Sequence, residues 1–205
     1  MIALIDYGAG NLTSVHKAFA ALRTDVCVPT SPRDLERASA VVVPGVGHFA
    51  ATAGLDREWV AAIRAAVERG QPLLGICLGM QWLFEGSDEA PDYPGLGVLA
   101  GRCYRLSGAG ADHQRLKVPH VGWNSLDVRR PEASIVRNVA SGSQVYFTHS
   151  YVCPVTADTV AITEHGEAFA AVVERGHIAG VQFHPEKSGD AGLQILRNFV
   201  ETHAL

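Results

Sequence analysis

The chain has 205 residues, 47% apolar and 19% charged, with a formal net charge of −4. That length and composition suit a globular protein with a substantial core, expected as one domain over 1–205. The acidic balance argues against a nucleic-acid partner, which favours a basic patch, and no apolar run approaches the roughly 20 residues of a membrane-spanning helix.

Met1-Ile2-Ala3-Leu4-Ile5 meets Asp6 at once and has no basic lead, so a signal peptide is not expected and the predicted address is cytoplasmic. Residues 2–5 read as a short buried strand. Asn11 then caps a helix whose apolar positions Leu12, Val15, Phe19 and Leu22 keep helical spacing. A second strand is expected at 26–28, a short helix at 34–38, and a third strand at 40–43 that ends in Pro44-Gly45-Val46-Gly47. A longer helix spans 55–69, with Trp59, Val60, Ile63 and Val67 inward and Gly70 as its stop. Residues 73–76 form the next strand, apolar throughout, as expected when helices cover both sheet faces. This order predicts an α/β fold with a mostly parallel, doubly wound sheet.

After Gly95 the pattern changes. Strands are expected at 98–106, 116–121, 144–147, 159–163, 168–174 and 178–183, with few helices between them. Breaks at Ser107-Gly108-Ala109-Gly110 and Glu174-Arg175-Gly176-His177 suggest hairpins, hence an antiparallel extension of the parallel core. A final helix over 189–202 buries Leu193, Leu196, Phe199 and Val200.

Cys27, Cys77, Cys103 and Cys153 form no C-x-x-C pair, and free thiols are the default in a reducing compartment. Only Cys77 has a chemical context. Gly75-Ile76-Cys77-Leu78-Gly79 is G-x-C-x-G, the thiol counterpart of the G-x-S-x-G elbow. Glycine on either side permits a cramped strand-to-helix turn from which the sulfur projects. The amides that open the following helix favour the thiolate, and that of Leu78 is placed to donate to an oxyanion. A buried structural cysteine after a strand is the competing reading.

A nucleophilic thiol needs a base, and the base needs orienting. His184-Pro185-Glu186 follows Val181-Gln182-Phe183 at the end of an expected strand. Side chains two apart on an extended chain share a side, their Cα atoms on the order of 6.6 Å apart. Pro185 biases His184 toward extended backbone. With nine histidines in the chain, chance pairing with an acid is the alternative. A third element is Pro44-Gly45-Val46-Gly47, at the carboxyl end of a strand, where open α/β sheets bind ligands. Its glycines allow a peptide to rotate and aim an amide into a cavity.

These segments resemble the class I (triad) glutamine amidotransferases, over nearly the whole chain. Asp6-Tyr7-Gly8-Ala9-Gly10-Asn11, Pro119-His120-Val121-Gly122-Trp123-Asn124, Tyr146-Phe147-Thr148-His149-Ser150-Tyr151 and Gln182-Phe183-His184-Pro185-Glu186-Lys187-Ser188 narrow the likeness. They closely resemble those of the glutaminase subunits of imidazole glycerol phosphate synthase, in histidine biosynthesis.

The resemblance implies that Cys77 attacks the side-chain amide of L-glutamine, that His184 serves as acid and base, and that Glu186 orients it. Leu78 and a reoriented amide of the glycine loop, at Val46 with Gly47 beside it, would form the oxyanion hole. Gln81, Glu89, His149, Ser150 and Tyr151 resemble positions that hold the glutamine backbone groups; without the likeness, Gln81 and Glu89 read as solvated polar residues. The released ammonia needs an acceptor, and the family's partner is a (β/α)8-barrel cyclase subunit. Asn11, Trp123, Asn124 and Lys187 resemble residues facing it, though a tryptophan is as often a core aromatic. The resemblance calls for neither metal nor cofactor.

Overall fold

The computed structural model describes residues 1–110 and 115–203. Its main sheet has eight strands: β1 (Ile2–Leu4), β2 (Val26–Cys27), β3 (Ala40–Val43), β4 (Leu73–Ile76), β8 (Asp127–Val128), β11 (Thr159–Glu164), β12 (Ala168–Arg175) and β13 (Ile178–Val181). Their order is β2-β1-β3-β4-β13-β12-β11-β8. The first five run parallel, and β12, β11 and β8 continue the sheet antiparallel, as expected. Strands β5 (Gly86–Ser87), β6 (Arg102–Arg105) and β10 (Tyr151–Val152) form a small second sheet, and β7 (His120–Ser125) pairs with β9 (Gln144–His149).

Alternation along each strand divides the core. Ile2, Leu4, Ala40, Val42, Leu74 and Ile76 face one cluster, with Val15 and Phe19 of α1 (Leu12–Ala21) and Leu196 and Phe199 of α4 (Gly189–His203). Ala3, Val41, Val43 and Leu73 face the other, with Ile63 of α2 (Arg57–Glu68) and Met80 and Trp82 of α3 (Leu78–Leu83). A period of two on β1, β3 and β4 thus buries both sheet faces, which is why these three strands carry no polar residue.

Helix ends follow their local chemistry. The Asn11 side chain accepts from the Ser14 amide, and Asp56 accepts from Glu58 and Trp59. Gly70, at φ +79°, follows the end of α2. The expected short helix at 34–38 is a 3-10 helix, Pro32–Arg37, held by a Ser31/Asp34 capping box. The strand expected at 178–183 stops at Val181, and two expectations shift further. The run at 98–106 narrows to β6, and that at 116–121 gives way to β7, which starts after Pro119. Proline has no amide to donate to a ladder, so pairing begins at His120. Among the described residues no helix is long and apolar enough to cross a membrane.

Candidate active site

Strand β4 lies between β3 and β13, and all three end at one edge of the sheet. Cys77 follows β4 with φ +54° and ψ −107°, a backbone conformation that costs non-glycine residues on the order of 1–3 kcal/mol. The fold holds it there: the Cys77 amide donates to Val181 O at 2.8 Å, and Gln81 N closes the first turn onto Cys77 O at 3.1 Å. The flanking glycines are required by crowding. A Cβ on Gly75 would stand 2.7 Å from Gly79 and Met80 backbone, and one on Gly79 would overlap the Val43 carbonyl oxygen.

His184 and Glu186 come from the end of β13, the strand beside β4. Glu186 Oε1 accepts from His184 Nδ1 at 2.9 Å, and both side chains are shielded, 2% and 1% exposed. This bond occupies Nδ1 and leaves Nε2, which has no hydrogen-bond partner among the described residues. The turn itself is stitched to β9. His184 N donates to Tyr146 O at 2.9 Å, while Ser188 Oγ accepts from Tyr146 N at 2.9 Å and donates to His184 O at 2.6 Å. Burial, the largest influence on His184, opposes its charge, but the Cys77 sulfur and the Glu186 carboxylate together outweigh it and raise its pKa from 6.5 to about 10. His184 is therefore biased toward its charged, proton-donating form.

A cavity of about 310 Å³ opens at Cys77, lined by Gly47, Leu78, Gln81, Glu89, Pro119, Thr148, His149, Ser150 and Tyr151. That is the lower end of the size range for small-molecule sites. Every residue expected from the sequence to hold the glutamine backbone groups lines it; Pro119 and Thr148 are additions. Glu89 also accepts from the Phe49 amide at 2.7 Å, tying this wall to the segment after the glycine loop. Gln81 is 4% exposed and donates to Tyr151 O at 2.9 Å and Gln182 Oε1 at 3.1 Å, so it is no solvated residue.

His149 Nδ1 donates to Tyr151 O at 3.1 Å, which makes its Nε2 the acceptor for His120 Nδ1, also at 3.1 Å. Burial first, then the neighbouring histidines, lower the pKa of His149 to about 3 and of His120 to about 4, so both are neutral at pH 7. The register of β7 with β9, which sets His120 opposite His149, brings them together.

Neither amide expected from the sequence as an oxyanion donor is free. Val46 N donates to Ala9 O at 3.1 Å, and Leu78 N makes a long bond to Gly45 O at 3.4 Å. Gly47, at φ +99°, sits where the loop can turn. The Tyr7 hydroxyl lies against Gly45, buried and without a hydrogen-bond partner among the described residues. Its pKa is raised, by burial and then by the charge of Cys77.

Of the residues expected at a partner face, Trp123 is 57% exposed, which overturns the core reading. Its ring meets Tyr146 edge-on at 6.0 Å, and Lys187 Nζ lies 5.9 Å over the same ring. Asn124 is half-buried, and its side chain donates to Glu164 O at 2.9 Å and reaches His120 Nε2 at 3.3 Å.

Comparison with known proteins agrees with this geometry. Residues 3–202 match the family model for class-I glutamine amidotransferases. The chain is 46% identical to the imidazole glycerol phosphate synthase subunit HisH of Halalkalibacterium halodurans, over 97% of this chain and 94% of that protein. It is 47% identical to the same subunit from Moorella thermoacetica, over 98% and 94%. A crystal structure of a glutamine amidotransferase superposes with a TM-score of 0.77 over the whole of both chains at 20% identity, a likeness of fold. The chain belongs to the class I glutamine amidotransferases, among the glutaminase subunits of imidazole glycerol phosphate synthase.

Proposed function

We propose that Cys77, His184 and Glu186 carry out the glutaminase reaction of this subunit, with the cavity beside Cys77 as the L-glutamine site. The Cys77 sulfur attacks the side-chain amide carbon and forms a tetrahedral oxyanion. His184 Nε2 gives its proton to the amide nitrogen, the C–N bond breaks, and ammonia leaves a thioester on Cys77. Acylation removes the sulfur's charge, one of the two influences that hold the imidazole protonated, so His184 sheds its proton as the chemistry requires. It then takes a proton from water, which attacks the thioester. Collapse of the second tetrahedral adduct frees glutamate and returns the thiolate.

The observation that carries this reading is the convergence of the buried His184–Glu186 pair and the strained Cys77 on adjacent parallel strands. Gln81, Glu89, His149, Ser150 and Tyr151 would hold the amino-acid end. Leu78 and Val46 would supply the oxyanion donors after the Val46 peptide leaves Ala9, with Gly47 as the pivot. Ammonia passes to a (β/α)8-barrel cyclase docked over Trp123, Lys187, Asn11 and Asn124, in the cytoplasm.

Glutamate release from glutamine, measured with and without that cyclase and its nucleotide ligand, tests the reading. Wild type is expected to release glutamate and Cys77→Ala none. A Cys77→Ala protein that keeps its activity would make the elbow inert, and cleavage of peptides rather than free glutamine would make the chain a peptidase.

A further inference from the structure

Gln182 is absent from the roles above, yet it touches the nucleophile. The register that pairs Ile76 with Val181 places Gln182 beside Cys77, one step further along both strands. Its side chain is fully buried, and its Nε2 lies 3.7 Å from Cys77 Sγ. A primary amide in the core of a sheet edge would ordinarily be expensive, so its partners decide what it does.

Those partners fix which end faces the sulfur. The Tyr151 carbonyl can only accept, so Gln81 must present its NH2 group there, at 2.9 Å. The same nitrogen reaches the Gln182 side chain at 3.1 Å, and the atom receiving it must be the oxygen. The Cys153 sulfur also faces that oxygen, at 4.0 Å. Gln182 therefore turns its NH2 toward Cys77, an orientation set by a backbone acceptor rather than chosen freely.

We propose that Gln182 is a further catalytic residue, an amide donor that holds negative charge on the Cys77 sulfur, with Gln81 positioning it. This rests on Cys77 being the nucleophile. His184 must give its proton away and take one back, whereas an amide N–H stays a donor throughout. Its bond to sulfur strengthens when the sulfur is charged and weakens in the thioester. Gln182 thus stabilises the attacking thiolate and, at the end, the departing one. It exchanges no proton and forms no covalent bond.

The test is the pH profile of Cys77 alkylation by iodoacetamide on the full chain without glutamine, read by mass spectrometry on the Cys77 peptide so that half-buried Cys27 does not contribute. Gln182→Met keeps the length and removes the donor; Gln182→Glu adds a carboxylate. The profile is expected to move upward by about one pH unit in Gln182→Met, and further in Gln182→Glu. With the cyclase and its ligand present, kcat should fall roughly 10- to 100-fold in Gln182→Met with KM little changed. Profiles that superimpose on wild type in folded variants, judged by circular dichroism, overturn the proposal. If Gln182→Met does not fold, the isosteric Gln182→Glu decides by the same profile. Failure of the underlying reading shows separately, as glutamate release by Cys77→Ala.

Discussion

The Val46 amide donates to the Ala9 carbonyl at 3.1 Å and is therefore already engaged within its own loop. A hole for the oxyanion needs that peptide to turn, and Gly45 and Gly47 on either side leave it free to do so. One oxyanion donor is worth about 10²–10³ in kcat. The isolated protein is therefore expected to hydrolyse glutamine slowly, and the liganded cyclase to raise kcat by about that factor. Steady-state glutaminase assays check this, and equal rates would rule the coupling out.

The His184 pKa of about 10 sets a stability window. Because the folded value lies above the ordinary 6.5, the charged imidazolium contributes stability that is whole below pH 6.5 and is lost as pH climbs toward 10. In Cys77→Ala the sulfur's share vanishes and burial regains weight, so the loss between those limits should shrink. Denaturant midpoints at the two ends of the window, for both proteins, measure it. An unchanged loss would mean that the sulfur does not hold the proton on His184.

His120 and His149 act in the opposite direction. Their folded pKa values, about 4 and about 3, lie below the ordinary 6.5, so the unfolded chain takes up protons first as pH falls. Stability should therefore decline from pH 6.5 toward 4, and His120→Gln, which removes one of the two groups, should make that decline shallower. Parallel slopes in the two proteins would contradict the neutral pair.

Asn11 has two readings that separate cleanly. As the α1 cap it accepts from the Ser14 amide, so Asn11→Ala should lower stability by about 1 kcal/mol while Asn11→Asp keeps it. As a partner contact, Asn11→Asp should still weaken binding of the cyclase. Denaturation and titration of the cyclase onto each variant resolve the two. Wild-type affinity in Asn11→Asp would confine the residue to capping.

What the sequence shows plainly is what neighbouring residues decide. The elbow is legible because Gly75, Cys77 and Gly79 lie within five residues, and the base because His184 and Glu186 share one turn. The parallel core is legible because its strands are apolar on both faces. The role of Gln182 is not legible because it reads, between Val181 and Phe183, as an unexceptional residue of an expected strand, and only Tyr151 and Gln81, far away in sequence, aim its amide. The His120–His149 pair depends on the β7/β9 register, and Pro119 moved that strand. The direction of the Val46 amide is set by dihedrals that glycine neighbours leave open.

Tyr146 joins two regions that look separate. Its ring, beneath Trp123 and Lys187, belongs to the outer patch, while its main chain holds His184 and Ser188 in place. On the roles proposed above, redesigning this surface for a different companion protein bears on turnover as well, because a shift of β9 made to suit a new ring contact acts on the segment that carries His184.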